Sequence, residues 1–191
     1  LRHLHLSPAK AHLFQRIAGG LLYPHSARRG NAEHMAANRQ GQRGLWRHGI
    51  SGDLPIVLIH VTKPGHVQHV RELVVAHAYW RNHGLSADLV ILNDYPGSYL
   101  DALNEQLITL LNESPRKADG PPGSVYLLRA AQFTREDLAL LEVTASVVLH
   151  GERGSLAQQW DATTAQARTS TQRRSRSPGT KSNRTDYVGD P

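Results

Sequence analysis

The run LPIVLIHVTKPGHVQHVRELVVAHAYWRNHGLSADLVILND, residues 54–94, decides the fold class of this chain. It opens with PIVLIHV (55–61), an unbroken β-branched stretch of the kind found in strands buried on both faces. GHVQHVRELVVAHAYWRNHG then places Val67, Val70, Val74, His77 and Ala78 on one helical face, with Gly84 where the chain has to leave the helix. ADLVILN (87–93) repeats the strand signal. Strand, helix and strand in this order make a βαβ unit, whose strands are parallel and whose crossover is right-handed.

The alternation continues downstream. Leu100, Leu103, Leu107 and Leu110 form one stripe of a helix over 99–112, residues 115–123 are a Pro- and Gly-rich loop, and SVYLLRA (124–130) is a third strand. Thr134, with Asp137 three residues on, predicts a helix start, and ASVVLHG (145–151) a fourth strand. Upstream, Leu13, Ile17 and Leu21 recur at helical spacing beside Phe14, predicting a helix that begins after Ser7 and Pro8 and ends near Pro24. A short polar helix is expected over 31–40. The predicted class is α/β: a small, mostly parallel sheet of three to four strands with flanking helices, within a unit at 53–160. A helical N-terminal segment and Gly-rich loop (1–52) precede it, and a disordered basic tail (161–191) follows.

That tail is rich in Ser, Thr and Arg with almost no large apolar side chains, too few to offset the entropy of ordering it. It holds six basic residues against Asp161, Asp186 and Asp190, half of the chain's net charge of +6. The remaining 1–160 carry the other half, an ordinary balance for a globular body and not the field of a nucleic-acid binder. The 191 residues contain no cysteine, which excludes a disulfide scaffold, a thiolate metal site and a cysteine nucleophile. No apolar run reaches the roughly 18–20 residues of a membrane helix. The chain begins with Leu1 and is read as a piece of a longer protein.

Candidate chemistry is sparse. His66 and His69 stand at i, i+3 on one helix, with His60 and His77 nearby in sequence, but no third ligand follows at a motif spacing, so no metal is assigned. His77 lies in an apolar stripe and reads as a buried, hydrogen-bonded imidazole. Phosphate-loop and nucleophile-elbow motifs do not occur, so no cofactor is assigned. Asp53, Asp88, Asp94 and Asp101 have no spacing that fixes a catalytic pair and read as loop and cap residues.

The segment least like routine α/β sequence is GQRGLWRHGISGDLPI (41–56). Its candidate contact residues are Trp46, Arg47, His48, Ser51 and Asp53, which suit either a sugar, with the indole covering a pyranose face, or an interdomain seam. Taking Trp46 as an anchor buried against the sheet favours the seam. Phe14, Leu21, Leu22 and Trp46 are expected to form an exposed apolar flank.

Four stretches carry a resemblance: LFQRIAGGLLYP (13–24), NRQGQRGLWRHGISGDLPIVLI (38–59), VRELVVAHAYWRNHGLSADLVILND (70–94) and SVYLLRAAQFTREDLALLEVTASVVLHGERGSLAQQ (124–159). Together, over about 11–159, they resemble cyclic β-1,2-glucan synthases in the part similar to glycoside hydrolase family 94 phosphorylases. The resemblance implies a role in carbohydrate metabolism as a non-catalytic segment joining a sugar-binding β-sandwich to a phosphorylase-like barrel. It implies neighbouring synthase domains and β-1,2-glucan as partners. It also implies a parent protein in the bacterial inner membrane, with this part cytoplasmic. The catalytic barrel would lie beyond SLAQQ, where the sequence instead turns into the Arg/Ser/Thr tail. No catalytic residue is assigned, and the segment alone is expected to be inactive. The alternative is a small independent binding protein whose basic tail contacts nucleic acid or an anionic surface.

Overall fold

The computed structural model describes residues 6–23, 41–96, 102–114 and 123–175. The helix expected over 31–40, the loop over 115–122 and Leu100 lie outside them. Strands β1 (Ile56–Val61), β2 (Asp88–Asn93), β3 (Val125–Arg129) and β4 (Val147–His150) form one sheet in the order β3-β2-β1-β4. Every neighbouring pair is parallel, with Leu58 level with Val90 and Val148, and Ile91 level with Leu127. The two inner strands are the unbroken apolar runs because both their faces are covered, whereas β3 and β4 lie at the edges and are part-exposed.

Among the described residues six α-helices accompany the sheet: α1 (Pro8–Leu22), α2 (Arg43–Trp46), α3 (Val67–Asn82), α4 (Ala102–Glu113), α5 (Arg135–Thr144) and α6 (Leu156–Ser175). Alternate strand residues point to opposite faces. Val57, Ile59, Val61, Leu89, Ile91, Val147 and Leu149 pack with the apolar sides of α1, α3, α4 and α6. Ile56, Leu58, Val90 and Leu92 pack with α5 and with Leu45 and Ile50 of the segment before β1.

The N-terminal helix starts at the expected place, with the Ser7 hydroxyl accepting from the Lys10 N–H and proline in the first turn. Phe14 and Leu21, expected on an exposed flank, are buried instead, and only Leu22 of that helix trio is exposed. Their burial comes from α3, which lies beside α1: the Trp80 indole N–H donates to the Phe14 carbonyl at 2.8 Å, and the Gln15 amide donates to the Tyr79 hydroxyl. This double coverage also widens the buried arc of α3 to Val70, Leu73, Ala76, His77 and Trp80, leaving Val74 and Ala78 only part-buried.

A second departure concerns the boundary at 160. The chain continues as helix to Ser175, past the start of the expected tail, and residues 176–191 lie outside those described. Ser155 and Gln158 explain the start: Gln158 Oε1 accepts from the Ser155 N–H and the Ser155 hydroxyl accepts from the Gln158 N–H, a capping box. Leu156 and Trp160 then bury against the core, and an Arg16–Asp161 ion pair joins α6 to α1.

Candidate functional site

Residues 41–55 reach β1 through a turn-rich loop whose shape is set by a few polar contacts. Leu45 and Ile50 point inward and are fully buried, while Gln42, Arg43, Trp46, Arg47, Ser51 and Asp53 are exposed. Trp46 is 57% exposed, so it is not an anchor buried against the sheet but keeps the exposed position expected of it as part of the apolar flank. The reason is local: the helical turn of α2 gives its inward positions to Gly44 and Leu45, so the next residue faces out. Its ring is nevertheless held. The indole N–H donates to the Ser51 carbonyl at 3.2 Å, and the Gln42 amide donates to the same carbonyl at 2.8 Å and to Asp53 Oδ1 at 3.0 Å. The Ser51 hydroxyl accepts from the Asp53 N–H. Gly52 completes the turn at φ +75, where a Cβ would press on the Gln42 and Leu45 side chains at 3.1 and 3.2 Å.

Arg47 and His48 turn the other way, toward α5. Arg47 Nη1 lies 3.5 Å from Asp137 Oδ1 and His48 Nε2 lies 3.6 Å from Asp137 Oδ2. The His48 ring stacks on Phe133 with centroids 3.8 Å apart and planes within 10°. Asp137 is buried at the third position of α5, in the predicted capping box: Thr134 N–H donates to its carboxylate, and the Thr134 hydroxyl accepts from its N–H. Burial raises the pKa of this carboxyl, but the Thr134 hydrogen bonds and the Arg47 and His48 charges outweigh that and hold it below the ordinary carboxylate value. One carboxylate thus caps a helix and fastens the Trp46 loop. The sequence marked it only as a cap, because nothing local couples it to Arg47, ninety positions earlier in the chain.

Of the histidines considered as ligands, His77 is buried and its Nε2 bonds the Ala87 carbonyl at 2.9 Å, with burial pushing its pKa down. His66 and His69 have ring centroids 6.0 Å apart, edge to face. His60 instead stacks on His150 and approaches Glu142. Burial, then the adjacent His60, lowers the His150 pKa to about 4. Among the described residues no group of three or more His, Asp or Glu side chains could hold a metal ion. At the carboxyl ends of β1 and β4, the Thr62 hydroxyl donates to Glu152 at 2.8 Å and the Thr62 N–H donates to His66 Nδ1. Gly151 allows this approach, since a Cβ there would fall 2.2 Å from His66 Nδ1. Of the carboxylates, Asp53 serves the loop and Asp88 accepts from the Ser124 N–H between β2 and β3. Asp101 lies outside the described residues.

The fold and this loop together define the class: a four-stranded parallel α/β unit, with both faces of its sheet covered, that presents one exposed aromatic loop ahead of its first strand. No family model matches the chain. It is similar to the cyclic beta-(1,2)-glucan synthase NdvB of Rhizobium meliloti (strain 1021), with 29% identity over 161 residues. The match takes in 83% of this chain, which spans 6% of the length of that relative. The similarity agrees with the resemblance carried by the four motif stretches. Among the described residues no helix is long and apolar enough to cross a membrane.

Proposed function

We propose that this chain is a non-catalytic segment of a cyclic β-1,2-glucan synthase. It ties a sugar-binding β-sandwich to a phosphorylase-like barrel and serves glucan synthesis and chain-length control through them. Its partners are then the neighbouring domains of that synthase, in a parent protein at the bacterial inner membrane with this unit on the cytoplasmic side. The observation that carries the reading is the similarity to NdvB along 83% of the chain. The placement of the polar side chains supports it. Asp88, Asp137, His77 and Gln159 are spent on backbone hydrogen bonds that hold strands and helix ends. Such residues build a rigid spacer, and a spacer between domains needs defined geometry more than reactive groups.

Two measurements test this. The isolated chain is expected to release no glucose 1-phosphate from a β-1,2-linked glucose disaccharide with phosphate, and to transfer no glucose from UDP-glucose. Turnover in either assay overturns the non-catalytic reading. In a synthase whose matched segment is replaced by this chain, cyclic glucan production is expected to persist. Replacement by a flexible linker of equal length is expected to abolish it, and production surviving with that linker overturns the spacer role.

A further inference from the structure

Inside the 41–54 loop the exposed apolar surface is a single ring. Leu45 and Ile50, on either side of Trp46, are buried, and the loop's other exposed side chains are polar or charged. A protein partner would need a contiguous patch of roughly 800 Å² per side, with an apolar centre. Among the described residues the other large exposed apolar side chains sit on separate elements: Leu22 and Tyr23 at the end of α1, Tyr95 after β2 and Ile108 on α4. One flat indole rimmed by hydrogen-bonding groups has instead the dimensions and chemistry of a site for one sugar ring. The CH-bearing face of a pyranose lies on the aromatic face while its hydroxyls reach the polar edge.

The edge is built for this. The Ser51 carbonyl accepts from the indole N–H and from the Gln42 amide, which also donates to Asp53 Oδ1, so the three polar residues form one chain that starts at the indole nitrogen. Because the indole N–H is already committed to Ser51, the ring is oriented before any ligand arrives, which lowers the entropy cost of stacking. Arg47 and His48, fastened to Asp137, fix the loop from behind.

We infer that the exposed face of Trp46 is a stacking platform for one glucosyl ring of a neutral β-linked glucan, with Gln42, Ser51 and Asp53 as its polar rim. The inference rests on the synthase-segment reading for the choice of glucan. The platform itself rests on the loop's geometry.

The probe is a linear β-1,2-glucan oligosaccharide titrated onto the full chain while acrylamide quenching of tryptophan is followed. Of the three tryptophans, Trp80 and Trp160 are buried, so the quencher reports on Trp46. Saturable protection at millimolar or lower oligosaccharide is expected. Calorimetric binding of the same oligosaccharide should fall at least ten-fold in Trp46→Ala and less in Trp46→Phe, with unchanged circular dichroism. Ser51→Ala keeps the carbonyl that orients the indole and should weaken binding by less than Trp46→Ala. No saturable protection in the wild-type chain, or equal affinity in Trp46→Ala, overturns the platform. Neither result touches the spacer role, which the segment replacement tests separately. Equal binding of a maltodextrin would overturn the β-linkage preference.

Discussion

Among the described residues the two faces of the sheet are covered unequally. On one, α1, α3, α4 and α6 interlock with Phe14, Leu73, Trp80, Leu107 and Trp160 into the larger cluster. On the other, α5 and the 41–54 loop close a smaller one, with Leu45 and Ile50 standing where a helix would otherwise lie. The thick face is held by apolar burial between long elements. The thin face is held by a short loop, and that loop depends on a polar fastening at Asp137. A surface that is covered economically is also the one with side chains left over to face outward, and Trp46 is such a side chain.

The comparison breaks most visibly at Trp80. Replacing it with Ala removes a fully buried indole and leaves the void between α1 and α3, and is expected to cost about 3–5 kcal/mol. Urea denaturation followed by circular dichroism checks this, and a loss near zero would mean α1 does not hold the thick face. The fastening of the thin face comes next. Asp137→Ala leaves the Thr134 N–H without its acceptor and takes the carboxylate away from the Arg47 guanidinium and the His48 ring, and a loss of about 1–3 kcal/mol is expected in the same measurement.

The pH dependence of that fastening has a definite sign. The folded-state pKa of Asp137 lies below its unfolded value, so its contribution is complete above the unfolded value near 4 and is lost as pH falls through the folded one. The stability gap between wild type and Asp137→Asn should therefore shrink when denaturation is repeated at successively lower pH below about 4. A gap that widens on acidification would contradict the assignment. The smallest effect is expected at Trp46, where Ala should change stability by no more than about 0.5 kcal/mol, because the ring is exposed. A loss comparable to that of Trp80→Ala would return the indole to the core and remove the contrast between the faces.

How much of this was legible beforehand follows from the range of the forces involved. The strands and their helices were readable because β-branched runs and helical stripes reflect local burial patterns, and the Thr134–Asp137 cap lies within one turn of helix. The helix from Leu156 to Ser175 was not legible, since its start rests on Ser155, Gln158 and Trp160 while the following polar sequence carries no apolar stripe. The five contact candidates do share one loop, but their division of labour was not visible: Trp46, Ser51 and Asp53 face outward while Arg47 and His48 reach α5.

The sequence by itself determined a parallel α/β unit, the start of its N-terminal helix and the loop where unusual residues gather, because periodicity, capping and turn chemistry act over a few residues. Only the tertiary structure decided that β4 returns to the far side of β1, that α1 sinks Phe14 and Leu21 against α3, and that Trp46 faces solvent. Those outcomes depend on which distant surfaces meet, and the free energy of burial is set by the surface that arrives, not by the residue that waits for it.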